Sequence, residues 1–257
     1  MDAGSWISLI VKFCGFIKSI FWKNKNIVYI NGNVKNLNIE EIKGLIKPSD
    51  SKYINCQSNK NNSISSYKKH FLKQRIDLYQ ILRNCRDSSK ITYCGFSSQM
   101  FSVFDGYVLG DTFNYNFIEL RTNNKYYKVP EKKHFIRQNV EIDDTTGEIN
   151  LIIETSYEID TNKILNNPCV KFSEQEPSIL NNEYLNKIYS FVKSALDECC
   201  HKNIKIVNIY LTAKQSVAFV IGSAIQSCHP YVRVFNYDNN EYKYYLEIQS
   251  GKIKEIV

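Results

Sequence analysis

No CxxC pair occurs among the eight cysteines, so the chain offers neither a zinc ribbon nor a thioredoxin-like redox motif. A Walker loop, a GxSxG elbow and an HExxH helix are also missing. His70, His134, His201 and His229 are scattered, and none has a motif partner. Asp143-Asp144 reads as a turn ahead of a strand rather than as a catalytic pair. Motifs for catalysis are therefore lacking. The apolar stretch at 5–23 does not read as a secretory signal, because Asp2 replaces a basic start and no small-residue cleavage site follows.

The composition that remains is that of a globular protein, 43% apolar and 23% charged. Its 257 residues suffice for two modest domains or one large one. A net charge of +7 favours anionic partners without separating nucleotide, nucleic acid and membrane surface. That charge is spread rather than striped, which speaks against duplex nucleic acid. Cysteines such as Cys94 sit inside apolar patterns, as reduced and buried thiols of a cytoplasmic protein would. Cys199-Cys200-His201 suggests metal ligands, but successive residues on a helix point in different directions.

Residues 5–23, SWISLIVKFCGFIKSIFWK, have helical periodicity. Ser5, Ser8, Lys12, Gly15, Ser19 and Lys23 share one narrow stripe, and large apolar residues cover most of the rest. Three placements fit. The helix can dock on the domain or on a partner subunit. It can lie in a membrane interface, with Trp6 and Trp22 near its ends. It can also span a membrane as an oligomer, with its polar stripe facing a pore.

Downstream, NIVYINGNV at 26–34 reads as a strand ending in a turn, and 48–66 as a polar loop. Residues 70–85 read as a helix with Phe71, Ile76, Tyr79 and Leu82 near helical spacing. KITYCGF is a strand, MFSVFDGYVLG a helix, and NFIELRT and KYYKVP two short strands. After the polar stretch 131–148 the order returns. INLIIETSYEI is a strand, followed by a loop with Pro168 and Pro177. A helix with a stripe from Leu185 to Cys199 leads to the strand NIKIVNIYL, the helix KQSVAFVIGSAIQS and the strands YVRVFNYD and KYYLEIQ.

An ungapped offset of 116 pairs Gln99 with Gln215, Gly106 with Gly222, Tyr115 with Tyr231, Asn124 with Asn240 and Tyr126 with Tyr242. With the matching order of elements, this argues for an internal duplication. Strands alternating with helices imply an α/β fold of two tandem Rossmann-like halves, 27–140 and 141–257, preceded by the apolar helix within 1–26. In an open parallel sheet, ligands bind beyond the carboxyl ends of the strands, where helix N-termini favour phosphate. Two such edges facing each other suit a ligand that repeats itself and carries several phosphates.

TYCGFSSQMFSVFDGYVLG with FIELRTNNKYYKV, and IYLTAKQSVAFVIGSAIQS with VRVFNYDNNEYKYYLEI, resemble the two halves of the SAVED domain, a fused pair of CARF-like units. The resemblance covers residues 27–257. It implies a sensor of cyclic oligonucleotides, a cyclic oligoadenylate or a relative, in CBASS or type III CRISPR antiviral defence. It implies self-assembly, as a filament or another homo-oligomer, and an effector. No effector enzyme is recognisable in this chain, which leaves a separate protein or a membrane reached through residues 5–23.

The loops after the middle strands supply the candidate ligand contacts. These are Phe96, Ser97, Ser98 and Gln99 in one half, and Thr212, Lys214, Gln215 and Ser216 in the other. Their hydroxyls and amides suit phosphate, ribose or base edges, Lys214 suits phosphate, and Phe96 can stack on a base. The loops after the first strands add Asn31, Thr155 and Ser156. Capping of helices 99–110 and 215–227 is the alternative role for the Ser, Thr and Gln residues, and the two roles are compatible. Gly106 and Gly222 lie two turns into their helices and read as close-packing positions. A ring nuclease that cleaves the messenger, or a sponge that sequesters it, remain the alternative functions.

Overall fold

The Ile-, Val- and Tyr-rich runs form two sheets in a computed structural model. The model describes residues 26–32, 39–46, 51–56, 63–84, 90–110, 114–120, 125–130, 134–142, 147–238 and 240–255. The apolar segment 5–23, Arg121 of NFIELRT, Asn124 and the Asp143-Asp144 turn lie outside the described residues. The first half runs β1 (Asn26–Gly32), α1 (Ile39–Leu45), β2 (Ser51–Cys56), α2 (Ile64–Asn84), β3 (Lys90–Phe96), α3 (Gln99–Leu109), β4 (Asn114–Leu120) and β5 (Tyr126–Pro130). The second runs β6 (Glu148–Glu154), a 3-10 turn at Thr161–Lys163, β7 (Cys169–Ser173), α4 (Asn182–His201), β8 (Ile206–Thr212), α5 (Gln215–Ser223), β9 (Tyr231–Asp238), β10 (Glu241–Ile248) and β11 (Lys252–Glu255).

Strand order is β2-β1-β3-β4-β5 in one sheet and β11-β10-β9-β8-β6-β7 in the other. Read from the β7 edge, the second repeats the first and adds β11. In each sheet four strands are parallel, and β5 and β10 close antiparallel. The duplication is thus visible as topology. β3 and β8 have the same bounds under the 116-residue offset.

Two expected loops contain strands. β2 falls inside 48–66 and β7 between Pro168 and Pro177. Both are short edge strands beside β1 and β6, and β7 buries only alternate residues, Val170 and Phe172. Such segments carry too little apolar signal to stand out from polar loops. α2 differs from expectation in its inward face. His70, Phe71, Gln74, Asp77, Leu78 and Ile81 are buried, whereas Ile76, Tyr79 and Leu82 point out. Polar partners on other elements recruit Gln74 and His70 inward, which apolar spacing alone does not reveal.

One core cluster runs through both halves, from Ile27 and Tyr93 to Ile149 and Val207. The outer faces carry smaller clusters, Val28, Ile30, Cys94 and Ile118 under Ile42 of α1, and Ile152, Tyr210 and Phe235 with Ile159. Burial on both faces explains the near-continuous apolar strands. α3 and α5 cross between the sheets, and each also packs on strands of the other half. Their crossing has no room for a side chain: a Cβ on Gly106 would lie 1.8 Å from the Phe219 carbonyl oxygen, and one on Gly222 would lie 1.8 Å from that of Val103. Val103 and Phe219 are themselves equivalent under the offset, so this contact is two-fold symmetric. Phe219 inserts among first-half aromatics, with ring centroids 4.6 Å from Tyr93 and 4.9 Å from Tyr115.

A strap fastens the halves further. Along residues 134–142 the backbone N–H groups of His134, Ile136 and Gln138 donate to Asn186, Ser190 and Ser194, at 2.9, 3.1 and 2.9 Å. The acceptors lie four residues apart on α4, one stripe of the helix, and alternate residues of an extended strand match that rise. No helix among the described residues is long and apolar enough to cross a membrane.

Candidate functional site

The carboxyl ends of β3 and β8 come together at the pseudo-twofold. A cavity of about 550 Å³ opens there. Phe96, Ser97, Ser98 and Gln99 line it from one half, and Ser156 and Thr212 from the other. Its size lies in the range of small-ligand sites. Further wall comes from the first turns of α2, with Ser66, Tyr67 and His70, from the end of β9, with Phe235, Asn236, Tyr237 and Asp238, and from Phe101, Leu211 and Ala213. Tyr157, 79% exposed, stands at the rim. Sequence reasoning passed over these residues. The carboxyl-end rule applied to β9 would have found Asn236 to Asp238, whereas Tyr67 and His70 lie at the junction of an expected loop and helix.

Hydrogen bonds across the pseudo-twofold fix the floor. Gln99 Nε2 donates to the Ala213 carbonyl, and Gln215 Nε2 donates to the Ser97 carbonyl at 2.8 Å. Ser98 Oγ donates to Asn236 Oδ1, and Asn236 Nδ2 donates to the Tyr67 hydroxyl at 3.1 Å. Ser98 therefore does not cap α3 with its side chain. Its hydroxyl instead links α3, β9 and α2 around the cavity.

The two helix N-termini at this edge differ. At α5 the Ser216 backbone N–H donates to Glu119 Oε1 at 2.7 Å, and the Lys214 N–H to Glu176 Oε2 at 3.2 Å. Glu119 is buried, and desolvation pushes its carboxyl above the usual range although the Ser216 N–H pulls it back. Glu176 also accepts from Thr155 Oγ1 at 3.2 Å and Ser156 Oγ at 2.9 Å. Lys214 Nζ lies 3.2 Å from the Pro177 carbonyl and 3.8 Å from Glu176. Two carboxylates of the chain thus occupy the dipole end that the sequence offered to phosphate. At α3 the residue equivalent to Glu119 is Phe235, which lines the cavity. The α3 end faces open space bounded by hydroxyls and aromatic rings.

The expected contacts accordingly divide. Phe96, Ser97, Ser98, Gln99, Ser156 and Thr212 share the cavity. Lys214, Gln215, Ser216 and Thr155 instead build its supports. Asn31 is fully buried: its Nδ2 donates to Asp105, and its Oδ1 accepts from His70 Nε2 at 3.0 Å. Asp105 further accepts from Gln74 Nε2 at 2.8 Å and the Tyr93 hydroxyl at 3.0 Å. Burial raises its carboxyl to about 7, with those donors opposing the shift. A polar chain thus runs from His70, in the cavity wall, to Asp105, one residue before the Gly106 crossing. Among the described residues lining the cavity there is no Lys or Arg, so hydroxyls, amides and backbone N–H groups are its anion-binding chemistry.

Thiols are placed only partly as expected. Cys56, Cys94 and Cys199 are buried, but Cys169 and Cys228 are exposed. Arg233, in β9, is engaged by Glu148 at 3.3 Å and Glu247 at 3.7 Å.

Among solved structures, the chain is similar to the Acinetobacter baumannii Cap4 SAVED/CARF-domain containing receptor with the cyclic trinucleotide 3'3'3'-cAAA. The TM-score is 0.57 at 16% identity, covering 90% of this chain and 52% of that one. The same receptor with 2'3'3'-cAAA gives a TM-score of 0.53 at 17% identity, covering 86% and 50%. The chain spans about half the length of these receptors, and the likeness is one of fold. A comparison with curated proteins finds no match. The model of the SMODS-associated and fused to various effectors sensor domain, SAVED, matches residues 74–249, which takes in α3, α5 and both central strands. With two matching sheets and more than half of its length inside that match, the chain belongs to the SAVED family.

Proposed function

We propose that this protein is a receptor for a cyclic oligonucleotide second messenger in bacterial antiviral defence. The observation that carries this reading is the cavity shared by both halves at the strands' carboxyl ends, lined by hydroxyls, amides and aromatic rings. A cyclic oligoadenylate or related ring fits that chemistry. Its phosphates would meet Ser97, Ser98 and the α3 N-terminus, and its bases would stack on Phe96, Tyr67 or Tyr157. Residues 27–140 and 141–257 then act as one sensor unit. Because Gln99 and Gln215 join the halves at the cavity floor, and the Gly106–Gly222 crossing joins them two turns further along the same helices, ligand strain there would pass into their relative packing. The output is assembly with further copies, in a filament or closed oligomer. Assembly would engage a separate effector protein or a membrane through residues 5–23.

Calorimetry with a panel of cyclic di-, tri- and tetranucleotides, with light scattering on the same samples, tests this. One ring should bind in the micromolar range or tighter and increase particle size. Absence of binding across the panel would overturn the receptor reading. Tight binding at unchanged particle size would replace the switch by a sponge, and loss of intact ring on incubation would replace it by a nuclease.

A further inference from the structure

The outer face of α2 is unusual for a solvated helix. Leu72, Ile76 and Tyr79, at i, i+4 and i+7, are 60%, 59% and 66% exposed, and Leu82 is 39% exposed one turn on. They continue into a groove of about 960 Å³ with Phe104, Tyr107 and Val108 of α3. No described segment covers this groove. An apolar patch of that continuity marks a docking surface.

We infer that residues 5–23 of this chain occupy the groove alongside α2. Three observations select that occupant. The first is entry point. α2 descends to Asn84, and the chain resumes at Lys90, which stands beside Asn26 in the sheet register. The five intervening residues span at most about 20 Å, so the last turn of α2 and the start of β1 share one edge of the sheet. Residue 23 reaches that edge within about 10 Å of chain. The second is length. Nineteen helical residues extend about 28 Å, against about 31 Å for the 21 residues of α2. The third is pattern. Residues 5–23 carry a wide apolar face and a thin Ser/Lys/Gly stripe, so one side can cover the groove while Lys12 and Lys23 stay in water. Entering at Asn26, the segment lies parallel to α2, with Cys14 near the middle of the groove. The first two turns of the same helix carry Tyr67 and His70 in the cavity wall, so the docking face and the proposed ligand site share one rigid element.

The inference stands apart from the receptor reading and is tested without ligand. In the full chain, with Cys85, Cys169, Cys200 and Cys228 changed to Ser so that Cys14 is the partner left outside the buried thiols Cys56, Cys94 and Cys199, Ile76→Cys is treated with a short bismaleimide. Native Cys14 should give an intramolecular crosslink on a monomeric band, and Lys163→Cys, on the far half, should give none. A crosslinked dimer would overturn the inference in favour of a second copy. No crosslink at all, or one formed equally at position 163, would also overturn it. Trypsin gives a second readout, since Lys12, Lys18 and Lys23 lie inside the segment. Full-chain Ile76→Glu/Tyr79→Glu, two exposed changes that spare the core, should be cut there about tenfold faster than the parent while the body stays intact. Equal rates would refute docking, and cutting that slows only with anionic lipid vesicles would assign the segment to a membrane instead.

Discussion

Gln99 and Gln215 occupy equivalent positions in the two halves, and each donates its amide N–H to the carbonyl two residues before the other. This reciprocity is what a fused dimer retains of a two-fold interface. Gln215 additionally accepts from Ser102 through Oε1. Replacing Gln99 by Ala should lower stability by about 1 kcal/mol, and replacing Gln215 by about 2 kcal/mol, because a half-buried carbonyl and a hydroxyl lose partners. Urea titrations should show shifted midpoints with unchanged slopes. A changed slope would mean that the halves had come apart separately.

The glycine crossing should tolerate no Cβ. Gly106→Ala and Gly222→Ala each drive a methyl into a backbone carbonyl, which no rotamer change relieves. Each should cost about 3 kcal/mol or more, read as a fall in Tm or a failure to fold. Gly44→Ala is the control: it lies in α1 with nothing within 4 Å, and it should stabilise by about 0.5 kcal/mol. Equal losses at all three positions would remove the special role of the crossing.

Under the proposed receptor function, the site should be carried by rings rather than by Lys214. Phe96→Ala or Tyr157→Ala should weaken cyclic-ring binding about tenfold, the scale of one base stack. Lys214→Ala should weaken it less than about threefold, because that ammonium lies against Glu176 and the Pro177 carbonyl outside the cavity lining. Calorimetry on the three variants decides, and a reversed ranking would mean that the ligand displaces Glu176 from α5.

Periodicity made the central elements legible because local apolar pattern and burial agree there. β3, α3, β8 and α5 repeat at one offset, and the stripe from Leu185 to Cys199 is the buried face of α4. Elsewhere the decisive contacts are remote in sequence. Gln74 turns inward because Asp105 and the Phe101 carbonyl accept its amide across 31 and 27 residues. Lys214 is drawn from the cavity by Glu176, 38 residues earlier, and Glu119 reaches α5 across 97. Duplication invited symmetric site residues, yet Glu119 and Phe235 hold one position with opposite chemistry, so only the α3 end stays open.

Asp105 should write a recognisable pH dependence into stability. Its carboxyl is held near 7 by burial against an ordinary 3.8. Between those values the folded chain keeps a proton that the unfolded chain has released. The contribution is therefore fully present below about 4, declines by about 1.4 kcal/mol per pH unit as pH rises, and is gone above about 7. A side-chain amide cannot ionise in this range, so Asp105→Asn should lack this decline. The groups facing Asp105 are Asn31, Gln74, Tyr29 and Tyr93, with Asp77 and Cys56 close to Tyr29 and His70 reached through Asn31. All are common to both proteins, so the difference curve between parent and variant isolates position 105. Chemical denaturation at intervals from pH 4.5 to 8 should show the variant gaining on the parent up to about pH 7 and holding that gain above it. A flat difference would mean that Asp105 stays ionised throughout, with Asn31, Gln74 and Tyr93 outweighing its burial.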